Sequence, residues 1–319
     1  MNRRTAALLT SMAALTGAGC MGPAHAPMLV EREPWDLGPI KGVVLRTAHY
    51  RLHTTCTDPH LLDALPKVIE GSYAAYRDLL PAREPDSFPW TSFLFVNRSQ
   101  WESYTKKRTG ERANTYLRIR SGGYEENGVT VSHYSRRGPT LSVMAHEGLH
   151  QYLTMTNRRG LPAWLNEGLA CQFEAFELNA EGWPTFDARK NMMRKRHLRE
   201  TLRAGQLYKL PELLATDAGK ALRSGEERSR TYYAQVWSLV LFLRDDSLSN
   251  VYHIGFERLL AELGTPQMID LAARYRTAAA ATDNMQISQE EAVFRYYITH
   301  DLETFAKKYE EFAGELVSP

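Results

Sequence analysis

The stretch "MAHEGLHQYL", Met144–Leu153, sets His146 and His150 four residues apart, with Glu147 directly after the first. On an α-helix these histidines share a face one turn apart, with Cβ atoms about 5–6 Å from each other, so both imidazoles can address one ion. Glu147 is then held beside that ion without ligating it. Two imidazoles do not complete a catalytic metal site, so the chain must supply a further ligand.

The next segment, "NRRGLPAWLNEGLA", offers one. Asn157 to Gly160 is a helix-ending signal with a glycine for the left-handed position, and Pro162 suits the first turn of a second helix. From His150 to the end of the first helix is roughly 10 Å, and from Pro162 to Glu167 the return is about 7 Å at the same rise. An antiparallel pair of helices therefore carries Glu167 back to the histidines. Glu167 is also an acidic residue in a stretch otherwise built of Leu161, Ala163, Trp164, Leu165, Leu169 and Ala170.

HExxH, sixteen intervening residues and a glutamate inside "PAWLNEGLA" resemble the gluzincin zinc peptidases, in particular the aminopeptidase N family and the smaller peptidase-MA-like domains. The resemblance implies a thermolysin-like α+β fold and one Zn2+ held by His146, His150 and Glu167. It further implies Glu147 as general base and a peptide or protein substrate. It extends to "YYAQVWSLVLFL", where Tyr233 matches the family's oxyanion-stabilising tyrosine, although Gln235 and Val236 stand in place of its Lys-Gly pair. "GGYEEN", Gly122 to Asn127, is only loosely similar to the segment with which the aminopeptidases hold a substrate amine, a role that would fall to Glu125 or Glu126. The strong part of the resemblance runs from Gly122 to Leu243.

Around this centre the pattern is α+β, an N-terminal mixed sheet with helices followed by a mainly helical C-terminal half. Gly42 to Thr55 reads as a strand or hairpin, "HLLDALPKVIEGSYAAYRDLL" as a long amphipathic helix, and Thr91 to Asn97 as a second strand. Ser99 to Glu102 has the capping-box spacing of a new helix. Gly128 to Tyr134 alternates as a strand, expected to offer an open edge to an extended substrate. Helices are then expected over 140–156, 162–176, 188–204, 210–213, 230–244, 251–263, 265–276 and 288–309. The catalytic unit divides into an α/β part with the zinc helices over 41–177 and a helical part over 178–319.

With 319 residues and 43% hydrophobic content the chain can bury a sizeable core. Its 39 basic residues nearly balance 37 acidic ones, and a net charge of +2 gives no electrostatic case for nucleic acid. The first twenty residues run from Arg3 and Arg4 through an apolar stretch, too short to span a bilayer, to small residues ending at Cys20. That is an export signal, and "GAGC" resembles a bacterial lipobox, which implies a lipid anchor on Cys20 and a place in the bacterial cell envelope. Residues 21–40, rich in proline, read as a tether. Cys56 and Cys171 are expected to be buried free thiols rather than a disulfide framework.

Several residues have plainer readings beside the functional ones. Cys171 follows Glu167 by one turn and is expected to pack in the core. His133 is expected to be an ordinary strand histidine, and the basic run from Arg189 to Arg203 a solvated helix face, with Met192, Met193 and Leu198 as its apolar positions. The leading expectation is a zinc metallopeptidase of the envelope. The alternatives are a non-catalytic envelope lipoprotein on the same scaffold and a cell-wall peptide or amide hydrolase.

Overall fold

Three strands open the structure: β1 (Glu31–Leu37), β2 (Ile40–Arg46) and β3 (Tyr50–Thr54) form an antiparallel meander. Helix α1 (Pro59–Leu79), capped by Asp58, crosses to β4 (Trp90–Phe95), which lies parallel to β3. Next come α2 (Arg98–Thr109), a 3-10 turn, the short α3 (Ala113–Tyr116) and the hairpin of β5 (Gly123–Glu126) and β6 (Val129–His133). The sheet order is β1-β2-β3-β4-β6-β5. This computed structural model describes residues 28–38, 40–81, 83–85, 87–120, 122–158, 160–246, 250–282 and 287–318. The segment read as an export signal, with Cys20, lies outside the described residues.

Two of these strands change the sequence-based expectation. Glu31–Leu37, assigned to the tether by its prolines, pairs along its whole length with β2, because an edge strand tolerates Pro34. Strand β6 is not an open edge: it is bonded to β4 on one side and to β5 on the other. The free edge belongs to β5. Asn127 and Gly128, both at positive φ, form the two-residue turn that folds β5 back on β6, and such a turn matches the strand twist.

Period-two alternation divides the sheet into two faces. Leu45, Leu52 and Leu94 join the core against α1 and the next helix, α4 (Arg137–Met155). Phe95, Val131 and Tyr124 pack with Trp101 of α2 on the other face. His133 points to that second face, its ring 5.5 Å from Trp101. The α2 cap is Asn97, whose side chain accepts from Gln100 N, two residues before the Ser99 expected to cap it.

The C-terminal half is helical, as the pattern requires. Helix α5 (Ala163–Ala170) ends in a 3-10 turn, Cys171–Phe173, and a small hairpin of β7 (Phe176–Leu178) and β8 (Pro184–Phe186) replaces the expected continuation. The helices α6 (Met192–Arg203), α7 (Leu210–Leu214), α8 (Ala218–Arg223), α9 (Glu226–Arg244), α10 (Asn250–Ala261) and α11 (Pro266–Thr282) follow. The single helix expected over 288–309 is two, α12 (Gln289–Tyr297) and α13 (Leu302–Leu316), because Asp301 caps a fresh start at Thr304 N. Among the described residues no helix is long and apolar enough to cross a membrane. Cys56 and Cys171 are free and buried.

Helix α9 is the spine on which α5 rests. A Cβ placed on Gly168 would stand 2.7 Å from the Val236 carbonyl oxygen and 2.5 Å from a Val240 methyl carbon, so only glycine lets the two backbones approach. Gly168→Ala should lower stability by about 1–3 kcal/mol through overpacking, measured as a shift of the urea midpoint. A second expectation concerns acid. His53 is stacked on Phe93 at 4.8 Å and edge-on to Trp35 at 5.0 Å, and its Nδ1 has no hydrogen-bond partner. Burial, followed by the charges of Arg51 and Arg46, lowers its pKa from 6.5 to about 4. The unfolded chain therefore binds a proton before the folded one does, and stability falls as pH drops from about 6.5 towards 4. Urea titrations across that window should show the fall, and His53→Gln should reduce it without abolishing it, because burial and the charge of Arg194 lower His197 to about 4 as well.

Candidate metal centre

Helix α4 turns His146, Glu147 and His150 inward, with His146 and Glu147 buried. The helix stops at Thr156, and positive φ at both Asn157 and Gly160 reverses the chain into α5. Pro162 sits just before α5 as its cap rather than inside its first turn. The return places Glu167 over the histidines as the two-helix arithmetic requires. The His146 and His150 Nε2 atoms are 3.2 Å apart, and Glu167 Oε2 lies 3.4 Å from the first and 3.5 Å from the second. These ligand-type atoms all fall within 4.8 Å of one another, a group that could hold a metal ion.

Each imidazole is fixed through its other nitrogen. His150 Nδ1 meets Asn166 Oδ1 at 3.0 Å, and His146 Nδ1 meets Glu174 Oε1 at 2.9 Å. Glu174 is itself gripped by α6: Arg194 donates from Nε to Oε2 at 2.8 Å and from Nη2 to Oε1 at 2.5 Å, and Asn191 Nδ2 donates to Oε2 at 2.8 Å. Burial alone would raise the Glu174 pKa, but the Arg194 charge and the bond to His146 hold it well below the usual carboxylate range. Burial likewise opposes ionisation of Glu167, and the two histidines overcome it. Burial would lower both imidazoles, yet contacts with Cys171, Glu167 and Glu174 raise His146 well above its ordinary pKa, and Glu167 raises His150.

His146, Cys171 and Glu174 form a second cluster of ligand-type atoms on the far side of the same ring. It is a poorer cation site. Burial, with Glu174 nearby, pushes the Cys171 thiol up to about 11, so it stays protonated, and both Glu174 oxygens are already committed to Arg194. Cys171 has no exposed surface and packs in the core.

The centre opens into a cavity of about 410 Å3 between β5, the 115–119 segment, α4, α5, α8 and α9. Tyr233 lines it, its ring 6.3 Å from that of His146 and 5.0 Å from the Arg194 guanidinium carbon. Tyr232 is turned into the core. Gly123 lies so close that a Cβ there would stand 3.2 Å from Glu147 Cγ, so β5 runs directly past Glu147. The two glutamates after it part company. Glu125 lines the cavity, accepting from Gly128 N at 2.5 Å and from Thr154 Oγ1 at 3.2 Å, while Glu126 takes the Tyr116 hydroxyl at 2.7 Å and Arg112 at 3.1 Å on the opposite face.

Residues 140–259 match a family model described as "Protein of unknown function (DUF1570)". The match covers somewhat over a third of the chain and includes His146, Glu147, His150, Glu167, Glu174, Arg194 and Tyr233. No curated protein and no solved structure matches the chain.

Asn166, Glu174 and Arg194 were not singled out by sequence reasoning. A signal for Arg194 existed: it shares an i, i+4, i+7 stripe with buried Leu198 and Thr201, whereas Met192 and Met193, taken as the apolar positions, are 68% and 46% exposed. Arg194→Met should destabilise the protein by about 3–5 kcal/mol, because it leaves Glu174 buried and charged without its partner. Glu174→Gln, which leaves buried Arg194 facing a neutral amide, should also lower the urea midpoint, because the pair is broken from its other side.

Proposed function

We propose that the chain is a zinc-dependent peptide-bond hydrolase on a thermolysin-like (gluzincin) scaffold, with His146, His150 and Glu167 as the metal ligands. The observation that carries this reading is the triangle of His146 Nε2, His150 Nε2 and Glu167 Oε2, with sides of 3.2, 3.4 and 3.5 Å. Ligands about 2.0–2.1 Å from a tetrahedral zinc stand about 3.3–3.4 Å apart, so the side chains already have the spacing that the ion requires. Glu167 Oε2 is buried and, among the described residues, has no hydrogen-bond partner beyond its 3.4 and 3.5 Å approaches to the imidazoles. Such an oxygen is costly unless a cation takes it.

Zinc at this position supplies Lewis acidity, acidifying water to a pKa of about 7 and polarising a carbonyl. The remaining work falls to the chain. Glu147, whose pKa burial raises, takes the proton of the attacking water on its carboxylate and passes it to the leaving amine. The Tyr233 hydroxyl stays protonated, since burial and the charge of Glu167 push its pKa well up, and donates to the oxygen on which negative charge develops. The unpaired edge of β5 supports an extended peptide by backbone hydrogen bonds, in the place first assigned to β6. With the export signal read from residues 1–20, the place of action is the cell envelope, with an anchor on Cys20.

Glu147→Gln should still bind one Zn2+ while hydrolysis of a peptide library falls by about 100-fold or more, read by mass spectrometry. Glu167→Ala should lose zinc affinity itself. Equal digestion by wild type and Glu147→Gln would move the chain to the non-catalytic reading. Cleavage confined to wall-derived amides would move it to the third.

A further inference from the structure

The segment beside the cavity that contributes Ile119 to its lining is fixed in place and basic in sequence. Arg98, at the start of α2, donates to three carbonyls beyond α3: Leu117 O at 2.8 Å, Ile119 O at 2.7 Å and Arg120 O at 3.0 Å. Glu102 holds the same guanidinium at 2.7 Å. This pin sets the backbone of residues 117–120, so Ile119 faces the cavity and Arg118 and Arg120 flank it at the exposed rim. From Lys106 to Arg120 the chain carries Lys106, Lys107, Arg108, Arg112, Arg118 and Arg120 against a single acid, Glu111. Arg118 makes no ion pair among the described residues.

Arg120 already demonstrates what this rim binds. It reaches across to Glu226 Oε2 at 2.6 Å, at the start of α9, the helix that carries Tyr233, so its guanidinium ties the 117–120 segment to that helix outside the cavity. Arg120 is 79% exposed, and a pair this wet is worth about 1 kcal/mol or less. Glu226 is also held by Arg230. When another carboxylate takes Arg120, Glu226 keeps a cationic partner and no charge is stranded.

Resting on the peptidase reading above, we propose that Arg118 and Arg120 are specificity-determining residues that recognise a carboxylate of the substrate, so that the enzyme selects peptides with an acidic residue near the cleaved bond. Glu125, Glu147 and Glu167 line the cavity and repel acid beside the centre, while the arginine of the lining, Arg158, is buried and donates to the Pro81 carbonyl oxygen. The carboxylate that Arg118 and Arg120 select belongs to a residue that lies over the 117–120 rim. Strand β5 leaves that rim directly and passes Glu147, so a peptide extended along its free edge has one end at the arginines and its cleaved bond at the centre.

The test uses two peptide pools with the same Ala, Leu and Phe centres, one with Glu and the other with Gln at the flanking positions. The zinc-loaded protein should cleave the Glu pool with a kcat/KM about fivefold higher at low salt, the order that two exposed charge pairs deliver, and the ratio should fall towards one as salt rises. The double substitution Arg118→Gln and Arg120→Gln should bring the ratio to one at all salt concentrations. A purely structural effect of that variant lowers both pools alike and leaves the ratio intact. Equal cleavage of the two pools by wild type, or a preference that survives in the variant, overturns the proposal. Binding of the same pools to zinc-loaded Glu147→Gln, read by fluorescence anisotropy, keeps the two readings apart. Absence of all cleavage counts against the peptidase alone, whereas equal binding of both pools counts against the rim.

Discussion

The structure turns on a buried charge that must be paired. Between α4, α5, α6 and α9 the fold encloses Glu147, Glu167 and Glu174 and provides one guanidinium, Arg194, which is fully engaged with Glu174. One carboxylate is thereby matched, and the other two face His146 and His150, whose pKa values the buried acids raise. Burying carboxylates without compensation costs several kcal/mol each, so two uncompensated ones in a helical core would endanger a fold of ordinary stability. The upward pull on both histidine pKa values is the same deficit seen from the imidazole side. A divalent cation would remove it in one step, a structural argument for the proposed metal beside the chemical one.

That requirement explains the division of labour among the elements. The antiparallel α4 and α5 bring the donor atoms together, and α9 supports α5 through a contact so close that Gly168 has no room for a side chain. Helix α6 contributes Arg194, which fixes the carboxylate behind His146 and lies against the ring of Tyr233. The ligand-orienting layer and the hydroxyl expected to meet the oxyanion therefore share one guanidinium. A displacement of α6 would disturb both at once, so metal geometry and oxyanion geometry are coupled through packing rather than through any direct contact.

Much of the centre was legible in the sequence because its parts are local. HExxH fixes a helical spacing, the Asn157–Gly160 stop and Pro162 fix a reversal, and together they locate Glu167 by length alone. The α+β order and most helices follow from periodicity, since apolar positions at 3.6 and 2.0 residues separate helix from strand. What was not legible depends on pairing across long separations. Alternation identified β6 as a strand but carried no information on its neighbours, so the free edge was assigned one strand too far inward. Arg194 was read with its basic neighbours as a solvated face, because composition does not reveal that one member of a charged run points at a carboxylate twenty residues earlier. The break between α12 and α13 turned on a single capping aspartate, Asp301, within an otherwise continuous apolar pattern.

The boundary of the family match sharpens the separation between chemistry and recognition. Residues 140–259 begin within α4 and end within α10, and so contain every group assigned to metal binding, proton transfer and oxyanion contact. Strand β5, Arg98 and the 117–120 rim lie before that segment. A chain of this design can keep one reaction centre while the wall facing it is set by other residues. Because Arg98 anchors that wall through backbone carbonyls rather than side chains, the identities of residues 118 and 120 are free to vary without unmaking it. The physical separation of a pinned backbone from interchangeable rim side chains would allow rim charge to select the proposed substrate while the buried carboxylates hold the proposed metal.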